Sequence, residues 1–205
     1  MNVGLRHAAG ALPWLLAGAL SACGSPPPTH FHSLVATPAS TGNAAHVAPA
    51  SDVRFEVLPV AVPAQVDVPQ FVVRLSDGSM AVLEQERWIA PLGDEIRTAV
   101  ALRVGQALAD APRSNHAASA GVWGIGLEVQ RFDSVMGRAV GVQLQWSLQP
   151  ASGAAVLRCQ ARYEEPVGTG ASALAAGYRA VFERLGDAIG RALQVAAAGG
   201  TPACA

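Results

Sequence analysis

Three consecutive stretches between residues 122 and 164 alternate apolar and polar side chains so strictly that few folds remain open. Trp123, Ile125, Leu127 and Val129 share one side of the first stretch. Val140, Val142, Leu144, Trp146 and Leu148 share one side of the second, opposed by Gln143, Gln145, Ser147 and Gln149. In the third, Leu157, Cys159, Ala161 and Tyr163 oppose Arg158, Gln160, Arg162 and Glu164. A period of two sends neighbours to opposite faces of a strand. The three therefore predict an antiparallel sheet that is greasy on one face and needs a cover there. A helix over Ser172–Ala197 supplies it, with Leu174, Tyr178, Val181, Leu185, Ile189, Ala192 and Ala196 on its apolar stripe. Arg179, Glu183, Asp187 and Arg191 form its wet face. Gly177, Gly186 and Gly190 lie inside it, each costing about 1 kcal/mol against alanine. Packing, not propensity, must hold this helix.

The half before residue 122 adds to the same layers. Val53, Phe55 and Val57 alternate with Arg54 and Glu56, and Phe71, Val73 and Leu75 repeat the strand signal. Asp77-Gly78 then separates that run from Met80–Leu83, a strong hairpin signature. A second helix follows. Pro91 suits its first turn, Asp94 and Glu95 lie at its positive end, and Ile96, Val100, Val104 and Leu108 fall on one face before Pro112 ends it. Arg113–Ala120 is a polar loop. The expected fold class is α+β, a single two-layer sandwich with a mainly antiparallel sheet packed on one face by two helices, over residues 52–198, with a short tail at 199–205.

The front of the chain is an address. Arg6 and His7 precede Ala8–Leu20, thirteen uncharged residues, too few for a bilayer core that needs about 20 and suited to an export signal. Leu20-Ser21-Ala22-Cys23 resembles the lipobox of bacterial lipoproteins, in which cleavage falls before the cysteine and the cysteine is acylated. Several acyl chains hold a protein firmly where one does not. Residues 1–22 are thus read as a signal peptide and Cys23 as the lipidation site. No aspartate follows the cysteine, and by the same resemblance this directs the protein to the periplasmic face of the outer membrane. Residues 23–51 form a Pro/Ala-rich tether, interrupted by the apolar island Phe31-His32-Ser33-Leu34-Val35, which could add as an edge strand.

Composition removes several functions. Apolar residues make up 51% of the 205 residues and charged ones 14%, too apolar for disorder. The net charge is −1 with every cation an arginine and none concentrated in sequence, so nucleic acid is not an expected partner. His30 and His32 lie two apart without cysteine or carboxylate at metal-ligand spacing, and His116 sits in a polar loop. No nucleophile elbow, zinc-protease helix or phosphate loop occurs, and Gly124-Ile125-Gly126 lies within a strand pattern. Neither enzyme activity, metal nor cofactor is expected. Cys159 belongs to an apolar face, where free cysteine behaves as a small hydrophobe. The periplasm permits a disulfide to Cys204, but a buried thiol and a frayed tail argue against it.

Val66-Asp67-Val68-Pro69-Gln70-Phe71-Val72-Val73-Arg74, the Asp77-Gly78 turn and Glu86-Arg87-Trp88-Ile89-Ala90-Pro91-Leu92 together resemble the signature of the PqiC-type (ABC-type transport auxiliary) lipoproteins. Two positions depart from that family's pattern. Val68 stands where arginine is frequent, and Phe31-His32 stands where a tyrosine pair is frequent. The resemblance implies an outer-membrane-anchored subunit of an intermembrane lipid-transport system. Its partners would be a periplasmic MCE-domain protein and inner-membrane transporter components, with the lipoprotein docking the conduit at the outer membrane. A homo-oligomer, a ring of copies around the conduit, fits that geometry. Pro69, Gln70, Arg87 and Trp88 are then the candidate contacts to the partner or to a neighbouring copy. The plainer alternative has Trp88 and Pro91 plugging the core where the helix begins. The competing function is a structural or assembly-accessory envelope lipoprotein unrelated to lipid transport.

Overall fold

The computed structural model describes residues 27–35, 53–111, 121–151, 153 and 155–204. The signal segment, Cys23, most of the tether, Pro112 and the polar loop with His116 lie outside the described residues. The chain runs β1 (His30–His32), β2 (Arg54–Val57), β3 (Gln70–Arg74), β4 (Met80–Trp88), α1 (Leu92–Ala109), β5 (Val122–Val135), β6 (Ala139–Pro150), β7 (Leu157–Pro166) and α2 (Ala171–Ala197). This is the expected α+β class. Among the described residues no helix is long and apolar enough to cross a membrane.

The sheet itself differs from the expected one. Four strands in the order β2-β5-β6-β7 form one sheet, and β1-β4-β3 form a second. Each is mixed: β5, β6 and β7 pair antiparallel and so do β3 and β4, but β2 runs parallel to β5 and β1 parallel to β4. The reason for the division lies in β3, whose Phe71, Val72 and Val73 are all buried. A strand covered on both faces is packed against the rest of the molecule on both sides, so it does not continue a one-sided sheet. The Asp77-Gly78 hairpin is present, with Gly78 at φ +87°, a conformation glycine adopts without steric penalty. Leu75, expected inside, is exposed because β3 ends at Arg74.

The predicted apolar stripes are buried as expected on β5, β6 and both helices. α2 lies against β6 and β7 with α1 beside it. Its interior glycines mark where the approach is closest. A Cβ on Gly190 would stand 2.7 Å from the Ala107 Cβ, and one on Gly177 would stand 2.4 Å from Val167. Gly105 on α1 is the opposite case, since a Cβ there meets nothing within 4 Å. Two substitutions should therefore differ in sign. Gly190→Leu is expected to lower stability by about 1–3 kcal/mol through overpacking. Gly105→Ala is expected to raise it by about 0.5–1 kcal/mol through helix propensity. Paired urea titrations check both, and a stabilising Gly190→Leu would contradict the close helix–helix approach.

Candidate functional site

The family-like residues converge where β4 ends. The register of the hairpin shifts there: Phe71 lies opposite Leu83, yet Gln70 lies opposite Arg87, so residues 84–86 bulge out of β4. The Trp88 N–H donates to the Pro69 carbonyl at 2.8 Å, closing the far end of the hairpin. Proline suits this position at the start of a strand, where its missing N–H is not needed by the ladder.

The four candidate contacts separate into two environments. Pro69 is exposed, and Gln70 and Arg87 are half-buried. Gln70 Nε2 donates to Glu84 Oε2 at 3.3 Å, and Arg87 Nε donates to the Glu84 carbonyl at 3.3 Å. Trp88 points the other way and is 5% exposed. Its ring lies 4.1 Å from Phe71 and edge-on to Phe132 and Tyr178 at 6.3 and 6.1 Å. Pro91 precedes α1 directly, as its fixed φ suits. Trp88 is packed into the core, as the plug role considered for it requires, and of the four candidate contacts the accessible ones are Pro69, Gln70 and Arg87.

The apolar island adds as the expected edge strand, and the manner of its attachment was not visible in the sequence. β1 lies alongside the end of β4, with His30, Phe31 and His32 opposite Glu86, Arg87 and Trp88. His30 Nδ1 and His32 Nε2 donate to the two oxygens of Glu86 at 3.0 and 2.6 Å. His32 also sits 4.9 Å from the Phe71 ring. The Ile89 N–H donates to the His32 carbonyl at 2.9 Å. One turn into α1, Glu95 accepts from the Ser33 hydroxyl at 2.8 Å and from the Leu34 N–H at 2.7 Å, while the Leu34 side chain enters the core. Residues 30–34 form a strap buckled at Glu86 and Glu95. On the strap's outer side Phe31 and nearby Ile89 are 58% and 59% exposed, flanking Arg87.

The buckle at Glu86 is sensitive to acid. The hydrogen bond from His32 holds the Glu86 carboxyl below the ordinary range, outweighing desolvation, and His30 adds to it. A lowered carboxyl contributes stability that is full above the ordinary glutamate value of about 4.3. That contribution is lost as pH falls from there through the lowered value. Because Glu86 is partly solvated, it amounts to at most about 1 kcal/mol. Glu86→Gln should impose the acid behaviour at neutral pH, speeding hydrogen exchange at the Ile89 amide by up to about fivefold. An unchanged rate would mean that the buckle contributes nothing to strap closure.

Among the described residues no group of three or more His, Cys, Asp or Glu side chains could hold a metal ion. Residues 33–190 match the model of a family described as the ABC-type transport auxiliary lipoprotein component. Two solved structures share the fold. One is the crystal structure of an uncharacterized protein, 15% identical, with a TM-score of 0.63 over 80% of this chain and 98% of its own. The other is a Xanthomonas campestris protein of family DUF330, 20% identical, with a TM-score of 0.59 over 82% of this chain and 96% of its own. No curated protein matches the chain.

Proposed function

Since this chain belongs to the ABC-type transport auxiliary lipoprotein component family, we propose that it is the outer-membrane-anchored subunit of an MCE/ABC-type intermembrane lipid-transport system, docking the conduit at the outer membrane. The family is one of transport auxiliaries, not of enzymes. The observation that carries the proposal is the family match, which runs from the end of the strap through β2 to β7, with all of α1 and most of α2.

The strap supports the anchored part of this reading. Cys23, the lipidation site, precedes His30 by seven positions, four of which are Ser25-Pro26-Pro27-Pro28. Seven residues reach about 20–25 Å at most. A lipid on Cys23 therefore holds the β1–β4 edge close to the bilayer, instead of trailing the domain on a tether ending near residue 51. Pro69, Gln70 and Arg87 lie at that same end of β4 and form the surface offered to an MCE-domain protein or to a neighbouring copy. Trp88 stiffens them from beneath.

Crosslinking in intact cells, followed by purification through this lipoprotein, tests the proposal. Recovery of an MCE-domain protein with its inner-membrane transporter is the expected result. Recovery of a barrel-assembly or cell-wall partner with no MCE-domain protein would overturn it in favour of an assembly-accessory role.

A further inference from the structure

The outward face of the four-stranded sheet holds a groove of about 220 Å³ beside the β5–β6 turn. Arg74 from β3, Arg131 from β5, Arg138 from the turn and Arg162 from β7 line it, against only Asp133 and Glu164. In a chain of net charge −1, four guanidinium groups against two carboxylates is a local reversal of sign. Register brings them together. Arg131, Gln143 and Arg162 stand side by side across β5, β6 and β7, and Asp133, Gly141 and Glu164 form the next row. The centre of that second row carries no side chain, and a Cβ on Gly141 would meet nothing within 4 Å. The floor of the groove is open for that reason.

Asp133 is already committed. It is 8% exposed, with one oxygen 3.0 Å from Arg74 and the other on Arg131. Burial pushes its carboxyl up, but the hydrogen bonds from the two arginines outweigh that and leave it lowered and ionised. It fixes Arg74 and Arg131 in place, and neither of the other two arginines forms an ion pair with it. Arg138 and Arg162 make no ion pair or side-chain hydrogen bond among the described residues. Guanidinium forks match the planar edge of a phosphate bidentately, and unpaired ones are the available form.

We propose that this groove binds a phosphate group, as a free ion or as the headgroup of a phospholipid, with Arg138 and Arg162 as the primary donors. Arg74 and Arg131, positioned by Asp133, supply the remaining positive field, and Gly141 leaves room for the ligand. The volume suits a small ion or headgroup and is below that of a drug-sized pocket, about 300 Å³ or more. The site lies on different residues from the strap and the Pro69–Gln70–Arg87 surface, so it stands or falls separately from the transport reading.

The test is calorimetric titration of the intact acylated chain in a maltoside detergent, which contains no phosphate, with inorganic phosphate and with dihexanoyl phosphatidic acid. Wild-type protein should bind, and Arg138→Gln/Arg162→Gln should bind about tenfold or more weakly. Gly141→Leu fills the floor without removing charge and should weaken binding similarly, which a diffuse electrostatic attraction would not do. Binding of phosphate as tight as that of the lipid assigns the site to a free ion, and tighter binding of the lipid assigns it to a headgroup. Equal affinities for wild type and both variants, or no binding by wild type, would overturn the proposal.

Discussion

Trp88→Ala is expected to lose about 3–5 kcal/mol of stability, the usual cost of truncating a buried large aromatic. The indole stands where four elements meet. It packs on Phe71 of β3 and edge-on to Phe132 of β5 and Tyr178 of α2, whose own rings stack at 3.9 Å and 10°. The Tyr178 hydroxyl is hydrogen-bonded to Ser134 at 2.8 Å, and burial pushes its phenol well above the ordinary range. Removing the indole opens a cavity along this aromatic column and lets water reach Tyr178. Domains of this kind are stable by about 5–15 kcal/mol, so the loss is a large share of the total. Urea unfolding should show a lower midpoint with little change in slope, and Trp88→Phe should recover much of the difference. An unchanged midpoint combined with lost partner capture would mean that Trp88 acts at the surface, against its observed burial.

The column also explains what the sequence could and could not show. Strict alternation identified the inner faces of β5 and β6, because one buried face leaves a period of two in the residues themselves. The same logic exposed Ile96, Val100, Val104 and Leu108 as the buried edge of α1. Alternation names a face and not a neighbour. Nothing in His30–His32 says that it will lie parallel to Glu86–Trp88, more than fifty residues away. A register shift between Val129 and Arg131 then inverts the pattern within β5. Past it, Phe132 and Ser134 face the core, while Arg131 and Asp133 are delivered to the outer groove. Continued counting by twos would have placed them the other way. Glu95 shows a third kind of loss: its position fits the helix N-terminus, as expected, but its contacts to Ser33 and Leu34 depend on a segment brought in from far along the chain. Of the candidate contacts, the Pro-Gln and Arg-Trp pairs were legible by resemblance, and the inward turn of Trp88 was legible as the plainer of two roles.

Breaking the Cys159–Cys204 bond is expected to lower stability by about 2–4 kcal/mol, as loop-closure entropy and measured disulfides indicate. The structure joins these cysteines, with Cα atoms 5.6 Å apart and a sequence separation of 45, where burial of one thiol and fraying of the tail argued against it. Both arguments overlooked the end of α2. Gly199 takes φ +77°, its N–H donates to the Ala196 carbonyl, and the Gly200 N–H donates to the Val195 carbonyl. This αL cap reverses the chain and sends the tail back to β7, where Cys159 lies opposite Trp146. The bond thus closes a loop containing the whole of α2 and ties the end of the helix to the sheet it covers. Cys159→Ala/Cys204→Ser removes it without leaving an unpaired thiol. That variant should unfold at lower urea than the parent and should not respond to reductant, whereas the parent should respond. Hydrogen exchange should rise most in the last turns of α2, which the bond anchors. A parent protein whose midpoint ignores reductant would show that the tail is not constrained by the bond. The expected loss also fits an exported chain, since a fold that relies on this link reaches full stability only in an oxidising compartment.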